Sequence, residues 1–307
     1  MNISIQKLYE TPLRHQSLKA VSWHYKINKG IANLLYPLFG KCNYGINEDS
    51  NVIISLTSYP ARISTLHLTI KSLLNQGIKP KMVILWLAKE QFPNMEKDLP
   101  EKLLGLRKMG LTINFCDDLK PHKKYYYTMK ENPESYVITV DDDVLYPENL
   151  VEILMDTSDK YPDTVVCTWG HVIEDIENTA TWNPTMDGTI PSFSIVPTGV
   201  GGVLYPPHCL SEEVYNKESI KKLCLNADDL WLKAMALKNR KKAVRVNMPA
   251  KLYFSILKTQ KSGLYYENAL EDKNTEAWKK YLKHIQNVNL LFTRYFEASY
   301  NIYLSNH

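Results

Sequence analysis

Three adjacent carboxylates, Asp141-Asp142-Asp143, follow directly on the run Tyr-Val-Ile-Thr-Val at 136–140. Side by side at the end of a strand they repel one another and lose solvation, and a bound cation relieves both costs. Hard carboxylate oxygens suit Mg2+ or Mn2+. On an extended backbone alternate side chains share a face, so Asp141 and Asp143 can point the same way while Asp142 points elsewhere. An acidic turn with no ligand is the plain alternative.

A second carboxylate pair, Asp228-Asp229, stands in Ala-Asp-Asp-Leu-Trp. It opens a helical pattern, where the positive end of the helix dipole favours negative charge. A carboxylate separate from the metal fits the work of a general base, and helix capping by Asp228 is the plain alternative. Between the two acidic sites lies Pro-Thr-Gly-Val-Gly-Gly-Val at 197–203. Its glycines, Gly201 and Gly202 included, permit close backbone approach to a ligand or unusual dihedrals. It matches neither a dinucleotide fingerprint nor a phosphate loop. Arg62, Lys123 and Lys124 supply cations after the first and third apolar runs, and Asp117 and Asp118 end the third run.

These residues need a frame that brings them together. The run at 52–56, Val-Ile-Ile-Ser-Leu, reads as a buried strand. Thr57-Ser58-Tyr59-Pro60 breaks it, and Ser64 reads as the N-cap of a helix carrying Leu66, Ile70, Leu73 and Leu74. Further strands are expected at 82–87, 111–116, 136–140, 165–169 and 243–247. Helices are expected at 96–109, 125–130, 149–155 and 228–238. Residues 175–198 read as loop. Strands alternating with helices imply a largely parallel sheet covered on both faces, with ligands at the carboxyl ends of the strands. The triplet and the 57–62 loop both fall at such ends. Near the C-terminus, Trp278, Ile285 and Phe292 interleave with Tyr281, Val288, Tyr295 and Ile302 in one apolar seam. That seam docks on its own domain or serves a homodimer.

The 307 residues, 44% hydrophobic and 23% charged, suit a folded chain with one large domain. Net charge is a mild +4, and no nucleic-acid partner is expected. Residues 1–45 hold six basic side chains against Glu10 alone, which fits an anionic membrane surface or an acidic partner. Five cysteines without regular spacing argue for reduced thiols rather than a disulfide framework. No signal peptide and no apolar run of membrane-spanning length is found, so a cytoplasmic protein, peripheral at most on the membrane's inner face, is expected.

Five ordered motifs carry a resemblance: Ser-Leu-Thr-Ser-Tyr-Pro-Ala-Arg-Ile, Lys-Lys-Tyr-Tyr-Tyr, Val-Asp-Asp-Asp-Val-Leu-Tyr-Pro, Pro-Thr-Gly-Val-Gly-Gly-Val-Leu-Tyr-Pro-Pro and Ala-Asp-Asp-Leu-Trp. Over residues 51–275 the chain resembles bacterial family-2-like nucleotide-sugar glycosyltransferases of surface polysaccharide assembly, capsule or O-antigen. The resemblance implies a GT-A-type α/β fold: a Rossmann-like, mostly parallel sheet flanked by helices. It implies a transferase domain at 51–273; the residues outside it read as a basic helical appendage at 1–50 and an amphipathic helix at 274–307. The resemblance places Thr57, Ser58 and Arg62 near the nucleotide; Tyr59, Asp142, Lys123, Lys124, Gly201 and Gly202 are added as donor-side candidates from their places in these loops. Asp141 and Asp143 would serve ribose and metal, with Asp143 the leading ligand for Mn2+ or Mg2+. The base is implied at the second acidic pair. Relatives carry Glu in its first position where this chain has Asp228, so Asp228 and Asp229 both stay candidates. The uracil-binding Asp usual after the second strand has no counterpart near Leu87, and Asp117 or Asp118 stands in for it.

The implied reaction moves a sugar from a UDP-linked donor to a hydroxyl of a glycan or lipid-linked glycan, with inversion. A retaining transferase, a sugar-phosphate or nucleotidyl transferase, and a carbohydrate-binding module with a structural cation remain the alternatives.

Overall fold

A computed structural model describes residues 4–10, 18–39, 43–175, 178–184, 190–246, 253–257, 259 and 273–284. Two helices lead, α1 (Ile5–Glu10) and α2 (Leu18–Phe39). The sheet begins with β1 (Val52–Thr57), α3 (Leu66–Leu74), β2 (Met82–Ala88), the single turn α4 (Glu101–Leu104), β3 (Leu111–Cys116), α5 (Lys123–Glu131) and β4 (Tyr136–Thr139). After the triplet come β5 (Val144–Leu145), α6 (Leu150–Lys160), β6 (Val165–Cys167), β7 (Gly170–Val172), β8 (Asn183–Pro184), β9 (Ile195–Pro197) and β10 (Val203–Tyr205). The chain continues through α7 (Lys217–Leu223), α8 (Asp228–Lys238), β11 (Ala243–Arg245), β12 (Phe254–Ser255) and α9 (Lys273–His284).

Seven strands form the main sheet in the order β11-β6-β10-β4-β1-β2-β3. All run parallel except β10, which is antiparallel to both β4 and β6. The mostly parallel α/β sheet flanked by helices is therefore as the sequence implies. Alternation sorts the strand residues to two faces. Val52, Ile54 and Leu56 of β1 join Val83, Leu85 and Leu87 of β2 in the core under α3 and α6. Ile53, Ile84 and Trp86 face the other way, with Tyr127 of α5 packed against them. Burial on both faces explains why β1 reads as a continuous apolar run.

The chain order β1, β2, β3 runs one way from β1, and β4 lies on its other side. The crevice at the carboxyl ends of β1 and β4 is thus the topological switch point. Ser58 leaves one strand there and Asp141 leaves the other. Because β10 is antiparallel and pairs Val203 with Thr139 and Cys167, the glycine-rich loop before it arrives at this same edge.

Several local expectations are corrected. The helix expected over 96–109 is broken into a 3-10 turn (Met95–Asp98), α4, and a second 3-10 turn (Gly105–Met109). It stops at Gly110, whose φ of +105 is a left-handed value that favours glycine. Ser64 does not cap α3; the helix starts at Leu66 after Thr65, without a side-chain cap bond. Part of the expected loop at 175–198 pairs as β8 and β9 on β7. β10 is a strand the sequence reading did not see. Its three residues follow a glycine run and carry too little periodicity to register.

In α9, Trp278 and Tyr281 are fully buried, with Trp182 edge-on to Trp278 at 5.4 Å and Trp231 edge-on to Tyr281 at 6.1 Å. This part of the seam docks on its own domain; its continuation from Ile285 lies outside the described residues. Cys116, Cys167, Cys209 and Cys224 are buried free thiols.

Candidate functional site

The carboxylates of the triplet have separate partners. Asp142 is buried and turned toward β1, where Ser58 Oγ donates to it at 2.6 Å and Arg62 Nη1 pairs with it at 2.5 Å. Burial pushes its carboxyl above the usual range, while Arg62 and Ser58 pull against that. Arg62 is held protonated: burial opposes its charge, but Asp142 and Asp143 outweigh that. Arg62 Nη2 reaches Asp143 Oδ2 at 3.2 Å. Burial pushes Asp143 up to about 6; Arg62 opposes this and the other two triplet carboxylates add to it. Asp141, with its side chain about a third exposed, pairs with Lys124 Nζ at 3.1 Å.

Lys124 is the hub between the two acidic sites. It lies at the start of α5, is almost wholly buried, and also meets Asp228 Oδ2 at 2.9 Å. Burial opposes its charge, yet Asp141, Asp228 and Asp229 together hold its pKa well above normal. The second pair is split by these surroundings. Burial disfavours ionised Asp228, but Lys124 beside it outweighs that and lowers its pKa. Among the described residues no ion pair forms at the Asp229 oxygens, and Lys124 lowers its pKa less than burial and Asp228 raise it. Asp229 receives the Gly199 N–H at 3.1 and 3.2 Å, and burial followed by the neighbouring Asp228 charge pushes it well above the carboxylate range. Two carboxyls driven apart in this way suit different roles, one a fixed anion and one an exchangeable proton site.

The glycine-rich loop contributes differently from the sequence expectation. A Cβ on Gly201 would meet Thr168 Oγ1 at 2.1 Å, so its smallness serves packing against β6's end. Gly202 has φ +98 and turns the chain into β10. The residue over the site is Gly199. A Cβ there would stand 2.9 Å from Lys124 Nζ and 3.3 Å from both Asp141 Oδ1 and Asp229 Oδ1.

Of the other candidates, Thr57 Oγ1 donates to the Trp86 carbonyl at 2.8 Å and Tyr59 lies under the Arg62 guanidinium, 5.4 Å from its ring centre. Lys123 is buried but turned from the triplet, pairing with Asp118 at 2.6 Å. Asp118 also takes Lys120 at 2.7 Å; burial opposes ionisation, but the two lysines bring its carboxyl down to about 2. Asp117 pairs with Lys217 at the surface. Asp117, Asp118 and Lys123 thus form a separate group at the end of β3.

Three positioning residues were invisible in the sequence. Tyr146 OH accepts from the Asp141 N–H at 2.9 Å and donates to the Val200 carbonyl at 3.0 Å, tying the triplet to the glycine loop. Its only signal was the aromatic in Val-Leu-Tyr-Pro. His122 is wholly buried, with Nε2 on the Cys224 carbonyl and Nδ1 on Tyr125 OH, each at 2.8 Å. A carbonyl only accepts, so Nε2 carries the proton and Nδ1 accepts from the tyrosine. Burial brings this ring down to about 4, so it is neutral, and it joins α5's start to the approach to α8. Thr259 Oγ1 lies 3.5 Å from Asp143 Oδ2, and the Asp143 carbonyl accepts the Ile256 N–H at 2.7 Å.

Asp141 and Asp143 fit a hard divalent cation. They are hard carboxylate oxygen donors, and Asp143 is buried enough that its charge is disfavoured even beside Arg62. Among the described residues no group of three or more His, Cys, Asp or Glu forms a ready cage. Further ligands would be water or oxygens of a bound substrate, the usual habit of Mg2+.

No protein-family model matches the chain, and no curated protein matches it. Among solved structures it is similar to the mannosyltransferase PcManGT from Pyrobaculum calidifontis, in complex with GDP-Man and Mn2+. That likeness has a TM-score of 0.44 and 12% identity over 82% of this chain and 72% of the other. It is also similar to S. aureus TarS 1–349, at TM-score 0.42 and 14% identity over 66% of this chain and 58% of that one. The same TarS segment in complex with UDP-GlcNAc gives a TM-score of 0.38.

Proposed function

We propose that this chain is a metal-dependent, inverting glycosyltransferase of the GT-A kind. In this reading it uses a nucleotide-sugar donor, with UDP the expected carrier, and a hydroxyl acceptor on a glycan or lipid-linked glycan of surface polysaccharide. The transferase module is residues 51–273, with helical appendages on either side. One observation carries the reading. Two acidic sites, far apart in sequence, meet through Lys124 at the switch point of the sheet, and among the described residues Asp228 is ion-paired while Asp229 is not.

Each residue has a task in this scheme. Asp141 and Asp143 would hold Mn2+ or Mg2+, which supplies Lewis-acid stabilisation of the departing diphosphate when bound. Asp142 fixes Arg62 and the β1 loop and so shapes the donor side. Asp229 takes the proton from the acceptor hydroxyl as that oxygen attacks the anomeric carbon opposite the nucleotide. Its raised pKa suits a base working near neutral pH, where proton affinity and availability are balanced. Asp228 anchors Lys124 and remains ionised. The Gly199 N–H aims the Asp229 carboxylate. Thr57, Ser58 and Tyr59 border the nucleotide side.

The test is a transfer and donor-hydrolysis assay across UDP-sugars, with and without Mn2+. Wild type should be active only with metal, and Asp143→Ala and Asp229→Asn should both be inactive. Full activity of Asp143→Ala in chelator would sink the metal reading. Retention at the anomeric carbon would sink inversion, and phosphorus reaching the acceptor would sink sugar transfer.

A further inference from the structure

Helix α2 leaves an apolar stripe uncovered. Trp23 is 62% exposed, Ile27 39% and Leu34 69%. At 100° per residue the three lie within about 40° of one another on the helix. This face is not needed for folding, because the opposite one is already committed. Asn28, Ala32 and Tyr36 are buried there. Tyr25 OH donates to the Tyr253 carbonyl at 2.7 Å, and Lys29 Nζ reaches Ser255 Oγ at 2.6 Å. Asn33 both donates to the Ser255 carbonyl at 3.2 Å and accepts from the Leu257 N–H at 2.8 Å.

Charge identifies what the stripe meets. Helix α2 contains no acidic residue, and Lys26 is exposed beside the stripe. The segment 1–45 holds six basic residues against one acidic, in a chain of net charge +4. No described helix is long and apolar enough to cross a membrane. A cationic helix with a tryptophan-bearing apolar face, too polar to span, suits the plane of an anionic lipid surface.

We infer that α2 docks this chain on anionic phospholipid through Trp23, Ile27 and Leu34, with Lys26 on the headgroups. A second copy of the chain is the competing occupant. The consequence is geometric. The buried face of α2 grips the segment that pairs with β5 and bonds to the Asp143 backbone, so docking would set the triplet close to the lipid plane. An acceptor carried on lipid would then be presented to the site.

The experiment uses the full chain, without donor or metal. It is mixed with vesicles of phosphatidylcholine alone, or with part replaced by phosphatidylglycerol. The other five tryptophans are at most 9% exposed, so an emission shift reports Trp23. Anionic vesicles should co-sediment the protein and shift its emission to the blue, and neutral ones should not. The triple variant Trp23→Ser, Ile27→Ser, Leu34→Ser should lose at least about tenfold in partition. Lys26→Glu should lose about tenfold on anionic vesicles only. All these side chains are exposed, so the variants should keep the wild-type circular dichroism. Absence of binding to anionic vesicles, or unchanged binding of the triple variant, overturns the inference. So does a solution dimer that the triple variant abolishes. Because neither donor nor metal is present, this result stands or falls apart from the transferase reading.

Discussion

Lys124→Met tests the hub directly. Methionine keeps much of the side chain's length but removes the charge that meets Asp141 at 3.1 Å and Asp228 at 2.9 Å. The two contacts are unequal. Asp141 is a third exposed, and water screens it, so its loss costs well under about 1 kcal/mol. Asp228 is 11% exposed, and deleting one partner of a buried pair costs about 3–5 kcal/mol. In a chain of this size that lowers Tm by about 10 °C at neutral pH. The pH dependence gives the sharper test. In wild type the folded Asp228 pKa is depressed, so its contribution is present above the unfolded pKa and is lost as pH falls through the folded one. In the variant burial acts on it without Lys124, opposed by His122 and its own backbone N–H alone; the folded pKa rises, and stability falls as pH climbs above the unfolded pKa. The two melting curves should therefore approach each other near pH ~4 and diverge toward neutral. Scanning calorimetry across this range reads both. A variant that melts within about 2 °C of wild type at neutral pH, or a gap that does not narrow in acid, would refute the charge assignment.

Asp229→Asn should lower kcat by about 10²–10⁴-fold while donor affinity, read by calorimetry, is kept. The acid limb of the kcat profile should lie above the normal carboxylate range, since burial and Asp228 raise the group that must lose its proton; Asp228→Asn should move that limb down. Gly199→Ala has an unstrained backbone, but its Cβ falls 2.9 Å from a tethered ammonium. It should keep its Tm within about 2 °C yet lose at least about tenfold in kcat. Ser58→Ala removes the 2.6 Å donor to buried Asp142 and should cost about 1–3 kcal/mol by urea unfolding.

The frame was legible because its signals are long. β1 and β2 are six- and seven-residue runs buried along almost their whole length, and two-sided burial writes itself as a nearly unbroken run, while the edge strand β3 shows as an alternating one. The triplet and the late pair were legible because adjacent carboxylates are costly without partners. Which carboxylate does what was not. That depends on Lys124 reaching two sites about a hundred residues apart, and on an antiparallel β10 bringing Gly199 to Asp229. Sequence spacing carries no trace of either. Lys123 and Lys124 are neighbours of the same type, yet one pairs with Asp118 and the other with the triplet and Asp228, because consecutive helix positions point about 100° apart. Tyr146 and His122 act through hydrogen bonds to backbone groups distant in sequence, which no residue pattern encodes.

Charge at the switch point gives the proposed metal its reason. Among the described residues, five carboxylates (Asp141, Asp142, Asp143, Asp228 and Asp229) face two buried cations, Arg62 and Lys124, with half-buried Lys29 also acting on Asp143. Asp142 occupies the strongest contact of Arg62, and Asp228 that of Lys124. What remains for a ligand is an excess of negative charge at Asp141 and Asp143. A diphosphate brought there alone would add like charge in a partly desolvated crevice, where repulsion is weakly screened. Under the proposed function, donor and divalent cation therefore favour each other's binding. Thermodynamic reciprocity then requires that the factor by which metal tightens nucleotide equals the factor by which nucleotide tightens metal. In the proposed function the two buried cations hold the carboxylates in place, and neutralisation of the donor falls to a further cation that arrives with it.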